Sequence, residues 1–225
     1  MTTVATWNLH HMGREIEIPD GVGKVIGQVR PDVLVLTEYV DRGGRAAFET
    51  KLKEVGYVAG SVSRAGAGQN QVLIASRVEQ IAGTLQPPDV DEAAATNFLH
   101  QWLPALELNV VGFRAPYYQA EDPRKLKPYW GGLKAGALTV ASSRTVYIGD
   151  FNWCPGAKEP DAAQAIAALQ AAGYRMVPEG GGVDRALVSA AVQPRGWQVV
   201  EEAAGLRLTG DGGLSDHPML LIEVA

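Results

Sequence analysis

Five short polar clusters fall at the ends of, or within, apolar runs, and most of their side chains are oxygen donors. Trp7-Asn8 follows Val4 to Thr6, Glu38 follows Val33 to Thr37, and Gly149-Asp150-Phe151-Asn152 follows Val146 to Ile148. Ser215-Asp216-His217 precedes Met219 to Ile222, and Asp184 lies inside the run Gly182 to Val188. Polar groups at the strand ends of one scaffold project into a common crevice while the strands hold them in place. Asn8, Glu38, Asp150, Asn152 and Asp216 offer only hard oxygen ligands. Such a set suits Mg²⁺ or Mn²⁺, which prefer oxygen and keep waters that a phosphate can replace, and it suits zinc poorly.

Each cluster alone has an ordinary reading. Glu38 could be a solvated loop residue and Asp150 part of a turn, while Ser215 to Pro218 could be a turn leading into a strand, with Asp216 accepting from backbone N–H groups. His10 and His11, read as neighbours on a strand, point to opposite faces, so at most one joins a site with Asn8.

The elements that must position these residues are short β-type runs: Thr3 to Trp7, Val33 to Thr37, Tyr57 to Val62, Gln71 to Ser76, Leu106 to Phe113, Thr145 to Ile148, Val183 to Val188 and Pro218 to Val224. Helix signals lie between some of them. Val22, Val25, Ile26 and Val29 recur at helical spacing and stop before Pro31, and Ala46 to Val55 and Ala162 to Ala172 are rich in helix formers. The middle of the chain holds strands without intervening helices, with turn residues Gly66 to Gly68, Pro87 and Pro88 beside them. The run Gly180 to Gly182 reads as a turn before a strand. A wholly parallel sheet needs a crossover between every pair of strands, so the pattern predicts an α+β fold of mixed or packed sheets with helices outside.

Taken in order, Trp7-Asn8, Leu36-Thr37-Glu38, Gly149-Asp150-Phe151-Asn152, Val183-Asp184 and Ser215-Asp216-His217 resemble the endonuclease/exonuclease/phosphatase superfamily, from residue 4 to residue 222. That resemblance implies a four-layer αββα sandwich of two mixed, mainly antiparallel sheets, spanning residues 1–225 as one domain. It implies divalent-metal-dependent hydrolysis of a phosphate ester, in the first place a phosphodiester of DNA or RNA. A phosphomonoesterase, a lipid-headgroup phosphodiesterase or a noncatalytic binding module are the alternatives.

The same resemblance assigns roles. Glu38, Asn8 and Asp216 hold the cation, Asn8 also helps hold the phosphate, Asp150 orients or deprotonates the attacking water, Asn152 and His217 contact the phosphoryl oxygens, and Asp184 supports His217. A divalent ion, an amide donor and an imidazolium together offset the charge that slows attack on a phosphodiester. One departure stands out. The family carries a His or Tyr phosphate donor shortly before a Pro, and here Phe113-Arg114-Ala115-Pro116 leaves the position to Phe113, which cannot donate, or to Arg114, which offers a charged fork. Arg114 is expected to contact phosphate, and Trp153 and Cys154 to line the floor of the site.

Tyr117 to Lys134 interleaves Arg124, Lys125, Lys127 and Lys134 with Tyr117, Tyr118, Tyr129 and Trp130. Two readings fit: a nucleic-acid surface that pins phosphates and stacks bases, or an amphipathic helix with Trp130, Leu133 and Leu138 packed on a sheet. Composition limits both. The 225 residues carry 20 Lys plus Arg against 25 Asp plus Glu, a formal charge of −5, which argues against extended nonspecific binding to duplexes. Cys154 is the single cysteine, so no internal disulfide forms. The absence of a leader pattern in Met1 to His11 and of a long apolar run predicts a cytoplasmic protein without a membrane span, and no sequence feature points to an obligate protein partner.

Overall fold

The computed structural model describes residues 1–10, 18–40, 43–65, 69–180 and 182–225; His11, the turn at Gly66 to Gly68 and the middle glycine of the run at 180–182 lie outside the described residues. The strands and helices run β1 (Thr2–Asn8), α1 (Asp20–Val29), β2 (Val33–Val40), α2 (Arg45–Glu54), β3 (Ala59–Val62), β4 (Asn70–Ser76), β5 (Ile81–Ala82), α3 (Glu92–Thr96), β6 (Phe98–Leu103), β7 (Leu108–Arg114), α4 (Tyr118–Glu121), α5 (Leu126–Thr139), β8 (Thr145–Asp150), α6 (Pro160–Ala171), β9 (Arg175–Val177), β10 (Asp184–Val188), β11 (Pro194–Val200), β12 (Glu202–Ala203), β13 (Leu206–Arg207) and β14 (Met219–Val224).

Two six-stranded sheets carry the fold, in the orders β11-β14-β1-β2-β4-β3 and β5-β6-β7-β8-β10-β9. Each has one parallel pair, β1 with β2 and β7 with β8, among antiparallel neighbours. The expected α+β sandwich of two mixed, mainly antiparallel sheets is therefore what the chain adopts.

Strand alternation sorts side chains between two kinds of core. Val4, Val33, Val35, Val72, Ile74, Val110, Val146, Ile148, Ala186, Leu220 and Ile222 fill the space between the sheets. The opposite faces bury Ala5, Trp7, Leu34 and Leu36 with Val25 and Ile26 of α1 and Phe48 and Leu52 of α2, and Val111, Phe113, Tyr147 and Leu187 with Trp130 and Leu133 of α5 and Ile166 and Leu169 of α6. The sheets approach closely at Gly112, where an added Cβ would lie 2.7 Å from Val35 and 2.9 Å from Val72.

Local signals explain the helix ends. Asp20 places a carboxylate in the first turn of α1, where it favours the positive end of the helix dipole, and Arg30 closes α1 in a left-handed conformation just before Pro31. Two long strands lacked a sequence signal: β6, whose His100 and Gln101 are polar yet buried, and β11, an edge strand that begins at Pro194 and carries an irregularity there. Among the described residues no helix is long and apolar enough to cross a membrane.

The Tyr117 to Lys134 segment corrects one of the two expectations for it. Tyr118, Tyr129 and Trp130 are buried in the outer core, so they cannot stack bases, and Lys125 and Arg124 pair with Asp91 and Asp122. Only Tyr117 of these aromatics is exposed, at 50%. The packed-helix reading holds with one change: Leu138 faces outward, 44% exposed.

Gly149 sits at φ +153°, and a Cβ there would lie 1.8 Å from the carbonyl oxygen of Phe113 in the paired strand. Gly149→Ala is expected to lower unfolding stability by about 3 kcal/mol or more, since a strained φ and a backbone clash combine. Gly136→Ala on α5, where the Cβ meets nothing within 4 Å, is expected to raise it by about 0.5–1 kcal/mol. Urea denaturation of both variants measures the contrast.

Candidate active site

The carboxyl ends of both parallel pairs open on the same end of the sandwich. Val4, Thr6 and Asn8 share the inward face of β1, and Val146, Ile148 and Asp150 share that of β8. Val110, Gly112 and Arg114 share the inward face of β7, with Arg114 paired in register to Asp150. Asp184 opens β10 opposite Asp150 on its other side. One spatial rule thus places Asn8, Arg114, Asp150 and Asp184 at the open rim of a core made mainly of aliphatic side chains. The alternatives at Phe113 and Arg114 resolve here: Phe113 is fully buried on the outer face against Phe151, and Arg114 turns into the crevice.

Glu38 reaches the crevice by another route. Alternation along β2 would send it outward with Leu34 and Leu36. Instead, β2 carries a bulge against β4 between Leu36 and Tyr39, and Glu38 adopts φ +54° within it. A bulge re-aims a side chain, and a non-glycine residue in this region is strained, a cost of order 1–3 kcal/mol that the surroundings must offset. The result is a carboxylate that meets the adjacent strand and the opposite sheet.

The polar contacts are dense. Asn8 Nδ2 donates to Glu38 Oε1 at 3.2 Å and to Asp150 Oδ2 at 3.1 Å. Arg114 Nε donates to the same Glu38 oxygen at 3.0 Å and stands 3.7 Å from the same Asp150 oxygen. The backbone N–H of Asn152 donates to Asp150 Oδ1 at 2.8 Å, and Asn152, at φ +46°, donates through Nδ2 to the Ala115 carbonyl at 2.5 Å. Facing them, His217 Nδ1 is 2.6 Å from Asp184 Oδ2, which leaves Nε2 as the outward end of the ring.

Residues with no chemistry of their own set these positions. Ser215 Oγ donates to the Asn8 carbonyl and accepts from the His217 N–H, while Trp7 Nε1 donates to the His217 carbonyl. The buried Arg185 donates to the carbonyls of Pro178, Gly180 and Gly182, tying down the loop that delivers Asp184. An arginine inside the apolar run Val183 to Val188 is the signal that could have found it.

Asp216 and His10 lie at the mouth. Asp216 is 3.0 Å from His10 Nδ1 and 3.7 Å from His217 Nε2. β1 ends at Asn8 and His10 leaves it in a left-handed conformation, φ +50°; His11, and with it the expectation of opposite faces, lies outside the described residues. Trp153 is also corrected. Rather than flooring the crevice, it joins the outer apolar cluster and walls a cleft of about 420 Å³ with Ile166, Tyr174 and Met176.

Burial, then the neighbouring Asp184 charge, pushes the Asp150 carboxyl up to about 6, against the opposing pull of Arg114. Burial also raises Asp184, while its bond to His217 pulls it back. For His217 burial acts downward, but the Asp184 hydrogen bond and the charges of Asp184, Asp150 and Asp216 outweigh it, and the imidazole is pushed up to about 9. A pKa raised on folding from about 6.5 means that the imidazolium pair stabilises the fold fully below that pH and loses its contribution as pH climbs through about 9. NMR titration of the His217 ring is expected to give a midpoint near 9 in the wild type and about 6.5 or lower in Asp184→Asn; a wild-type midpoint near 6.5 would contradict the pairing.

The donor set can be tested against a cation. Among the described residues no three His, Cys, Asp or Glu side chains converge as a metal cage. Mg²⁺ does not need one: it is held by one or two carboxylates plus waters and substrate phosphate oxygens. Glu38, with Asn8 beside it and Asp216 at the mouth, fits that requirement.

A comparison with curated protein sequences finds no significant match. Among solved structures, the chain is similar to an AP endonuclease from Archaeoglobus fulgidus (TM-score 0.74, 18% identity, 99% of each chain). It is similar as well to the 3′ phosphatase NExo from Neisseria bound to a product DNA hairpin (0.71, 18%, 100% of each chain). A third is humanized D. rerio TDP2 (0.68, 14%, 100% of this chain and 98% of that one). At these identities the likeness establishes the sandwich. The family model, in contrast, matches residues 5–217, from β1 to His217 itself, and by that match the chain belongs to the Endonuclease/Exonuclease/phosphatase family.

Proposed function

We propose that the chain hydrolyses a phosphate ester, most readily a phosphodiester in DNA or RNA, with Mg²⁺ or Mn²⁺ as cofactor. The observation that carries this reading is the meeting of Glu38, Asn8 and Asp150 within hydrogen-bond reach, opposite a charged His217–Asp184 pair. Glu38 and Asn8 would hold the cation, with Asp216 at the mouth. When bound, the ion supplies charge neutralisation at the phosphoryl oxygens.

Asp150 acts as general base toward the attacking water. A carboxyl pushed up to about 6 is ionised at neutral pH and basic enough to take a proton, near the optimum for such a group. Its two oxygens are fixed by Asn8 and by the Asn152 N–H, so it cannot turn away. His217, kept cationic by Asp184, presents Nε2 to a phosphoryl oxygen. Asn152 has one amide hydrogen on the Ala115 carbonyl and a second to offer the phosphate. Arg114 adds a charged fork in place of the family's His or Tyr.

A panel of abasic, single-stranded and double-stranded DNA, RNA, inositol phosphates and a generic diester tests the reading, each with Mg²⁺, with Mn²⁺ and with chelator. Cleavage of a nucleic acid is expected, and chelator is expected to abolish it. Asp150→Asn and His217→Ala are each expected to lower turnover by roughly 10²–10⁴-fold while melting as cooperatively as the wild type. Near wild-type turnover in either variant removes the assigned role. Inactivity on the whole panel, with no metal binding, favours a binding module.

A further inference from the structure

We infer that Arg114 is the resident counter-cation of the Glu38–Asp150 pair, and that it couples uptake of a divalent ion to uptake of phosphate. This rests on the metal-dependent reading above and adds a property to it. Arg114 reaches from the second sheet to Glu38 of the first, and its Nε addresses the same two oxygens, Glu38 Oε1 and Asp150 Oδ2, that Asn8 Nδ2 addresses. Any ion bound by those oxygens meets a positive charge already there.

The rest of the guanidinium is differently placed. Among the described residues, neither terminal nitrogen of Arg114 hydrogen-bonds a protein group, and the side chain is 16% exposed, so water reaches it. A guanidinium engaged through Nε keeps two parallel donors on its far edge, a geometry that matches two phosphate oxygens. A purely structural ion pair would need no such open edge, and Asn8 already joins the two carboxylates without a charge.

Two consequences follow from one placement. Without phosphate, the fixed charge 3.0 Å from Glu38 weakens the hold of that carboxylate on a divalent ion. With phosphate on the far edge, its negative charge cancels that repulsion, and by linkage each ligand strengthens the other by the same factor. Arg114 thereby disfavours the metal-loaded site until a phosphate is at hand.

Calorimetric titration with Mg²⁺, with and without inorganic phosphate, tests this on the wild type, Arg114→Gln and Arg114→Lys. Without phosphate, Arg114→Gln is expected to bind Mg²⁺ about ten-fold tighter than the wild type, and Arg114→Lys, which keeps the charge, within about two-fold of it. Phosphate is expected to tighten Mg²⁺ binding about ten-fold more in the wild type than in Arg114→Gln. Equal or weaker Mg²⁺ binding by a folded Arg114→Gln overturns the inference and leaves the metal-dependent reading standing. Absence of Mg²⁺ and Mn²⁺ binding by the wild type overturns both. Should Arg114→Gln fail to melt cooperatively, Arg114→Met serves as the neutral variant, with the same two outcomes, and a ten-fold gain in Arg114→Lys is also a refutation.

Discussion

A single side-chain amide holds the rim of the sandwich together. Asn8 donates at once to Glu38 on the adjacent strand and to Asp150 on the opposite sheet, so two carboxylates that would repel share one uncharged donor. Both are almost fully buried, at 5% and 1% exposure, where an unpaired charge would be very costly. The amide and the Arg114 guanidinium compensate part of that cost. The remainder is visible in the raised Asp150 pKa, and a bound cation would relieve it. Contact at this point also requires the sheets to close tightly below, which the missing side chain of Gly112 permits.

Period-two alternation accounts for most of the site. The inward positions that are apolar or small through the middle of β1, β7, β8 and β10, Thr6 excepted, become Asn8, Arg114, Asp150 and Asp184 at one end. These positions are legible from sequence because each polar residue sits at the edge of an apolar run or, for Asp184, within one. Glu38 was legible as a residue but not as a geometry: counting along β2 sends it outward, and only the bulge against β4 returns it. The choice between Phe113 and Arg114 likewise needed the pairing of β7 with β8, since both ends of the count are plausible in one dimension.

Other features lay beyond the reach of composition and spacing. Whether the aromatics after Pro116 stack on a ligand or on the sheet depends on which way α5 turns, and the core claims Tyr118, Tyr129 and Trp130. Trp153 joins Phe151 in the outer cluster, past the left-handed turn at Asn152. Strand β6 carries no apolar signal because His100 and Gln101 are polar yet buried, His100 being satisfied locally by the Leu85 N–H and by Asn109, so a polar pattern conceals a core strand. The net charge of −5 gains a location: Glu38, Asp150, Asp184 and Asp216 gather at one end, where Arg114 and His217 are among the groups that face them.

The central claim is that this rim is a seat for a divalent ion, held chiefly by Glu38. Anomalous scattering from crystals grown with Mn²⁺ tests it most directly. The account predicts an anomalous peak about 2.0–2.2 Å from a Glu38 carboxylate oxygen, absent from crystals of Glu38→Gln. Mn²⁺ peaks confined to other surfaces, or a peak at the rim that persists unchanged in Glu38→Gln, would contradict it.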